Sequence, residues 1–446
     1  MENLLERLLA DNGPMLSSEL TRLLVDGHGV ADAAARKRVS RLSPGIGRVS
    51  IKFPRNASFL YLKRFFGTDQ YWNNLTQAFL STNSIYGLAL AALRQRGDVM
   101  PASHWPIACG AVKQKKHLAP ETVLKNLLAA GVLTQHVVPS VGDCIGLAQG
   151  RDRYENASAN LRARMLTESI LLGAIKNWVR NLGLVSYGTV AMRGDGEALP
   201  MVGTAAWDLT APSYLFPLLR RSGADAKPGF FACDVLLGVD VNEDGLKPFI
   251  HKCNALRNLK NVGPCIQMFV AHRYTSAAFE LAKQSGVMPA TPETLFGTEV
   301  AEGLAQLLSV LRNALDSAIN PQFLDEVFTR LGKIEGAANN LRGALFEYLV
   351  ADIARKEGSY QIRMNQHFRD ETGAKAEVDV IADSSPRAVR FIECKGYQPY
   401  GTIPEAMITT WLEKRVTTGS PSCKATPGME ACAYPLRVLD HREGVT

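Results

Sequence analysis

Cysteine is scarce in this chain: there are eight in 446 residues, at 109, 144, 233, 253, 265, 394, 423 and 432, and no two form a Cys-x-x-Cys pair. That spacing excludes the common zinc and redox motifs, and the thiols read as buried groups of a reducing compartment. No apolar run approaches the roughly 18 residues that a spanning helix needs. The opening Met1-Glu2-Asn3 lacks the basic then apolar pattern of a secretory signal, so a soluble, cytoplasmic protein with no membrane partner is expected. No glycine-rich phosphate loop occurs, so nothing points to ATP use. Aromatics make up 8%, charged residues 21% and apolar residues 46%, the balance of a folded protein and not of a disordered or collagenous one. The length exceeds the about 100 to 150 residues of one ordinary core, so several domains are expected.

The net charge of +7 is unevenly placed. Between Ala33 and Arg64 stand nine basic residues and no acidic one, more than the whole excess. The local pattern predicts helices over 2–10, 18–24 (N-capped by Ser17 or Ser18) and 31–42, then strands at 49–53 and 59–62 around the turn Pro54-Arg55-Asn56. This order resembles a winged helix, which offers one helix to the major groove of DNA. Arg36, Lys37, Arg38 and Arg41 form the candidate recognition face, with Lys52 and Arg55 on the wing; a protein-binding winged helix is the alternative. A second such order is expected over 83–137, with helices at 84–96, 101–108 and 119–130 and a second wing after Gly131. Lys113, Lys115, Lys116 and His117 precede its third helix.

The strongest chemical pattern lies between Leu341 and Lys395. A helix over 341–351 carries Glu347 on a stripe with Gly343 and Ala351. Two strands follow, 376–382 with Asp379 and 388–396 with Glu393-Cys394-Lys395, joined by Asp383-Ser384-Ser385-Pro386. Strand alternation puts Glu393 and Lys395 on one face and Ile392 and Cys394 on the other, toward the core. Two carboxylates, Asp379 and Glu393, and a backbone carbonyl, that of Cys394, make a hard oxygen site suited to magnesium. Such an ion polarises a phosphodiester and acidifies a bound water, while Lys395 offsets charge or handles the proton. The bland account is a same-face ion pair of Glu393 and Lys395 on an exposed strand.

Taken together, Glu347, Asp379 and Glu393-Cys394-Lys395-Gly396 resemble the PD-(D/E)XK nuclease superfamily, with its restriction-endonuclease-like fold, over about the last hundred residues. Val378 stands where that pattern often has proline. The resemblance implies cleavage of DNA, less often RNA, with Mg2+ as cofactor (Mn2+ able to substitute) and Glu347, Asp379, Glu393 and Lys395 as catalytic residues. A helix over 405–415, with Trp411, Lys414 and Arg415, lies where such enzymes often meet substrate.

The same order recurs in the middle: Glu168 on a helix reaching Gly183, strands at 184–192 and 205–209 with Asp208 ending the second, and a third strand over 229–237 with Asp234. Leu236 stands at the lysine's position, so a silent copy is expected unless Lys247 or Lys252 supplies the cation. An unrelated α/β domain is the alternative. The expected fold is a multidomain α/β chain of winged helix-turn-helix modules at 1–75 and 76–150, a degenerate restriction-endonuclease-like lobe at 151–300, a helical linker at 301–340 and a nuclease lobe at 341–446. The expected function is a metal-dependent endonuclease of double-stranded DNA, in restriction or antiviral defence; a non-catalytic DNA-binding regulator is the competing class. Cutting both strands calls for a homodimer if one lobe alone is live, and a partner protein could gate it.

Overall fold

The computed structural model describes residues 4–138, 141–149, 157–222 and 225–313, and beyond them 330–331, 347, 350–351, 353–359, 361–369, 375–385, 388–395, 409 and 437–440. It is an α/β chain of several small sheets.

The first unit runs α1 (Leu4–Asn12), β1 (Met15–Leu16), α2 (Ser17–His28), α3 (Asp32–Ser40), β2 (Ile46–Lys52) and β3 (Ser58–Leu62), with sheet order β1-β3-β2. Neither serine caps α2. Leu16 holds the cap position, its N–H donates to the Glu19 carboxylate (2.9 Å), and Ser17 Oγ accepts the Ser58 N–H (3.0 Å), tying the helix to the hairpin. In β2 the buried Ile46, Val49 and Ile51 leave Arg48, Ser50 and Lys52 exposed.

Helix α4 (Asp69–Ser81), absent from the sequence reading, follows. Its Tyr71, Leu75, Ala78 and Phe79 are buried among Phe53, Phe59, Leu90 and Trp105, so the first two units share one core. The expected boundary at 75/76 falls inside this helix. The second unit repeats the first: α5 (Ile85–Gln95), β4 (Val99–Pro101), α6 (Trp105–Ala108), α7 (Pro120–Ala129), β5 (Leu133–Val138) and β6 (Gly142–Leu147), with order β4-β6-β5. Ser84 caps α5 by accepting the Gly87 N–H.

Next come α8 (Ser158–Asn181), β7 (Ala191–Met192), the hairpin of β8 (Met201–Val202) and β9 (Ala205–Ala206), and β10 (Leu209–Ser213). The hairpin of β11 (Arg220–Ser222) and β12 (Asp225–Lys227), then β13 (Gly229–Val241), α9 (Glu243–Arg257), β14 (Cys265–Tyr274), α10 (Ser276–Gln284), β15 (Met288–Ala290), α11 (Pro292–Phe296) and α12 (Thr298–Asn313) complete the unit. The strands expected over 184–192 and 205–209 are shorter than the sequence suggests: a 3-10 turn at Tyr187–Thr189 leaves only Ala191–Met192 of the first, the second breaks between Ala206 and Leu209, and Asp208 sits just before β10 instead of ending a strand. Sheet order is β15-β14-β13-β10-β7; β10 runs antiparallel to both its neighbours, β7 and β13, and β14 joins β13 in parallel.

The last unit has β16 (Gln361–Arg369), β17 (Lys375–Ser385), β18 (Ala388–Lys395) and β19 (Arg437–Asp440). The first three are antiparallel and β19 is parallel to β18, which repeats the order β7, β10, β13, β14. One core runs through both sheets, joining Ile170, Leu209, Met268 and Leu304 to Val350, Val380 and Ile392. Most of the expected 341–351 helix, and the 405–415 helix apart from residue 409, lie outside the described residues.

Candidate active site and nucleic-acid interface

Strands β17 and β18 pair Val380 with Ile392 and Ile381 with Phe391; one further step sets Asp379 opposite Glu393, on the same face. Val380, Ile392 and Cys394 turn into the shared core. Asp379 and Glu393, at 8% and 4% exposure, lie on the other side of the sheet and are nearly as hidden. The Cys394 N–H donates to Asp379 Oδ2 at 2.6 Å, which fixes that carboxylate. Lys395 lies two residues on from Glu393, opposite Asp440 of β19; only its backbone position is described. Two adjoining buried carboxylates repel each other and are costly to keep ionised without a cation. Their hard oxygens fit magnesium, which takes few protein ligands. Among the described residues no group of three or more His, Cys, Asp or Glu side chains is placed so that it could hold a metal ion. Glu347 reaches across the lobes: Arg162 of α8 donates to its Oε2 at 2.6 Å. The Cys394 carbonyl, expected as a ligand, belongs to the strand that pairs with β19, where Cys394 stands opposite Leu439.

The middle lobe carries the same frame. Leu209 pairs with Cys233, so the next step sets Asp208 opposite Asp234, and the Val235 N–H donates to Asp208 Oδ2 at 2.8 Å as that of Cys394 does to Asp379. Here the surroundings differ. Arg193, the residue after β7, meets Asp208 Oδ1 (3.3 Å) and Glu168 Oε2 (3.0 Å). Lys252 of α9, fully buried, donates to Asp234 Oδ2 (2.5 Å) and the Ala206 carbonyl (2.9 Å) and lies over the Trp207 ring. Of the two lysines named as candidates, Lys247 pairs with Asp244 instead. Leu236 is buried at the position matching Lys395. Burial pushes the Asp234 carboxyl up to about 6 even with the Lys252 ammonium beside it. The β16 residue opposite Asp379 is position 365, an asparagine where the middle lobe has Arg193.

At the front of the chain the basic residues divide. Arg36, Lys52 and Arg55 line a cleft of about 680 Å³ between α2, α3 and the β2–β3 turn, together with Arg22 and Arg48, which sequence alone did not assign to a contact surface. Lys37, Arg38 and Arg41 line a different hollow, against Leu4, Leu5 and Leu24. Arg36 pairs with Asp32 on its own helix at 2.9 Å, and Lys52 donates to Ser58 Oγ. Arg55 and Asn56 at the turn both have positive φ, 58° and 60°, a backbone shape that few L-residues adopt, and both are exposed.

No helix among the described residues is long and apolar enough to cross a membrane. No protein-family model, no curated protein and no solved structure matches this chain, and the reading of its chemistry rests on the contacts above.

Proposed function

We propose that the chain is a metal-dependent endonuclease that hydrolyses DNA, with two winged-helix modules at its front and a PD-(D/E)XK-like centre at its back. The observation that carries this reading is the pair Asp379 and Glu393, buried, opposed across two strands and steadied by the Cys394 amide. Asp379 and Glu393 would hold the cation. When bound, a magnesium ion there supplies charge for the scissile phosphate and lowers the pKa of a water. The Cys394 N–H keeps one Asp379 oxygen oriented, and Lys395, on the strand bearing Glu393, offsets charge on the phosphate or takes the water's proton. Glu347, held by Arg162, stands as the helix carboxylate of the set.

The α1, β1, α2, α3, β2, β3 order and the sheet order β1-β3-β2 support the winged-helix reading of the first module, and the second repeats both. The cleft with Arg22, Arg36, Arg48, Lys52 and Arg55 is the surface for a duplex backbone. A cutter that carries its own reading modules fits restriction or defence against foreign DNA.

The test is digestion of supercoiled plasmid with Mg2+, comparing wild type with Asp379→Ala and Lys395→Ala. Wild type should relax or linearise the plasmid and both variants should lose at least about 100-fold in rate. Equal behaviour of all three proteins would sink the enzyme reading. One observation favours the second reading, a DNA-binding regulator that keeps the fold: Glu347 is tied to Arg162, with no third carboxylate gathered beside Asp379 and Glu393 among the described residues. In that case duplex binding persists without cleavage.

A further inference from the structure

The carboxylates of the middle lobe occupy the strand positions of the C-terminal pair, yet a divalent ion does not fit among them. Five of the six oxygens already accept a hydrogen bond from the protein, and the sixth, Asp208 Oδ1, accepts none but faces the Arg193 guanidinium at 3.3 Å. Glu168 Oε1 accepts the Leu237 N–H (3.1 Å) and its Oε2 meets Arg193. Asp208 is taken by the Val235 amide and Arg193, and Asp234 by the Asp208 amide (3.1 Å) and Lys252. All three acids are at most 4% exposed, much as Asp379 and Glu393 are, so what sets the middle site apart is the two cations seated on its carboxylates and not their depth. The two positive side chains supply the charge that an ion would bring.

What closes the cluster also extends beyond it. Arg193 Nη1 lies 2.8 Å from Nδ1 of His104, which belongs to the second module. A guanidinium can only donate, so that nitrogen accepts and the imidazole is neutral with its proton on Nε2. Arg164 of α8 donates to the Arg96 carbonyl at 2.8 Å, and the Arg96 charge itself feels Glu168, Asp208 and Asp234. Around this centre the Lys113 N–H donates to the Thr204 carbonyl (2.8 Å) and Gln95 Nε2 to that of Asp240 (2.9 Å). Gly110, at φ 77°, lies so close to Pro248 that a Cβ would come within 2.9 Å of its Cα.

We propose that Glu168, Asp208 and Asp234 are a second copy of the C-terminal carboxylate site, closed to metal by Arg193 and Lys252 and converted into the socket that seats the second module. The comparison of the two sites rests on the nuclease reading of the C-terminal lobe; the socket does not.

Three measurements on the full chain test this. First, a protein carrying Asp379→Ala and Glu393→Ala is titrated with Mn2+ and followed by electron paramagnetic resonance. No ion should bind at the middle lobe, and binding that disappears on adding Asp234→Asn overturns the proposal. Second, His104→Ala removes the arm of the seat without stranding a buried charge. Amide exchange over 99–112 should accelerate about 10-fold while β13 and β14 stay protected; unchanged exchange over 99–112 overturns the socket. Third, the paired change Asp234→Asn with Lys252→Met removes both charges at similar volume, which buried pairs tolerate far better than loss of one partner. Plasmid cutting should continue at the wild-type rate, and loss of cutting on one strand shows a live middle site and overturns the proposal. If wild type cuts nothing, the enzyme reading fails, while the exchange and Mn2+ results still decide this one.

Discussion

Arg55 sits at φ 58°, exposed, at the tip of the β2–β3 turn. Holding an L-residue in that region costs roughly 1 to 2 kcal/mol, less for asparagine, whose short side chain bonds locally. A cost kept at an exposed tip calls for a task elsewhere. Arg55→Asn should therefore leave the thermal midpoint equal or higher, while duplex affinity falls about three- to tenfold and the salt slope flattens by about one. Unchanged affinity in a salt titration would remove Arg55 from the interface. His104 provides a second test. Burial and the charges of Arg193, Arg164 and Arg96 hold its pKa well below the ordinary value. The unfolded chain then takes up a proton that the folded one refuses, so the stabilisation is complete at neutral pH and is lost as pH falls below about 6.5. Asp234, raised to about 6, bears the other way: the stability it lends is present in acid and lost as pH rises through 6. Subtracting the denaturation midpoints of His104→Gln from those of wild type across this range isolates the histidine; a flat difference would show that it does not titrate as stated. The histidine's effect was not legible in the sequence, because Arg193, which faces it, sits in a glycine-rich stretch with no periodicity to mark it.

Among the elements, strand pairing carried most of the legible information. Alternation along 388–395 assigned Ile392 and Cys394 to the core, where they lie, because a two-residue period survives any detail of the turns. Helical faces were less readable. A run such as Arg36-Lys37-Arg38 turns about 100° per residue, so its three cations cannot all share one side, and the position of the β2–β3 turn decides which of them lies beside Lys52. Arg36 falls with Lys52; Lys37, Arg38 and Arg41 fall with α1. Reversing Arg36 and Lys52 to glutamate should weaken duplex binding and reduce the salt slope by about two, whereas reversing Lys37 and Arg41 should do clearly less. Equal losses in a fluorescence anisotropy titration would merge the two faces. The sequence marks helix α4 poorly although Tyr71, Leu75 and Phe79 recur at helical spacing, because the break at Gly67 and the polar Asn73-Asn74 obscure the pattern.

At the scale of the whole molecule, strand order repeats: β1-β3-β2 is matched by β4-β6-β5, and β7-β10-β13-β14 by β16-β17-β18-β19. If one lobe alone is live, cutting both strands of a duplex takes two chains, and sedimentation should show a dimer on DNA; persistent monomers that linearise plasmid in a single encounter would contradict this. The continuous interior of the two lobes has a practical outcome for anyone dissecting the protein. Val350, Ala351, Val380 and Ile392 are buried in the same cluster as Ile170, Leu209 and Leu304, each large aliphatic group worth roughly 1.5 to 3 kcal/mol when covered. A fragment beginning at residue 341 would wet that seam, and it should precipitate or stay molten instead of behaving as an independent catalytic piece.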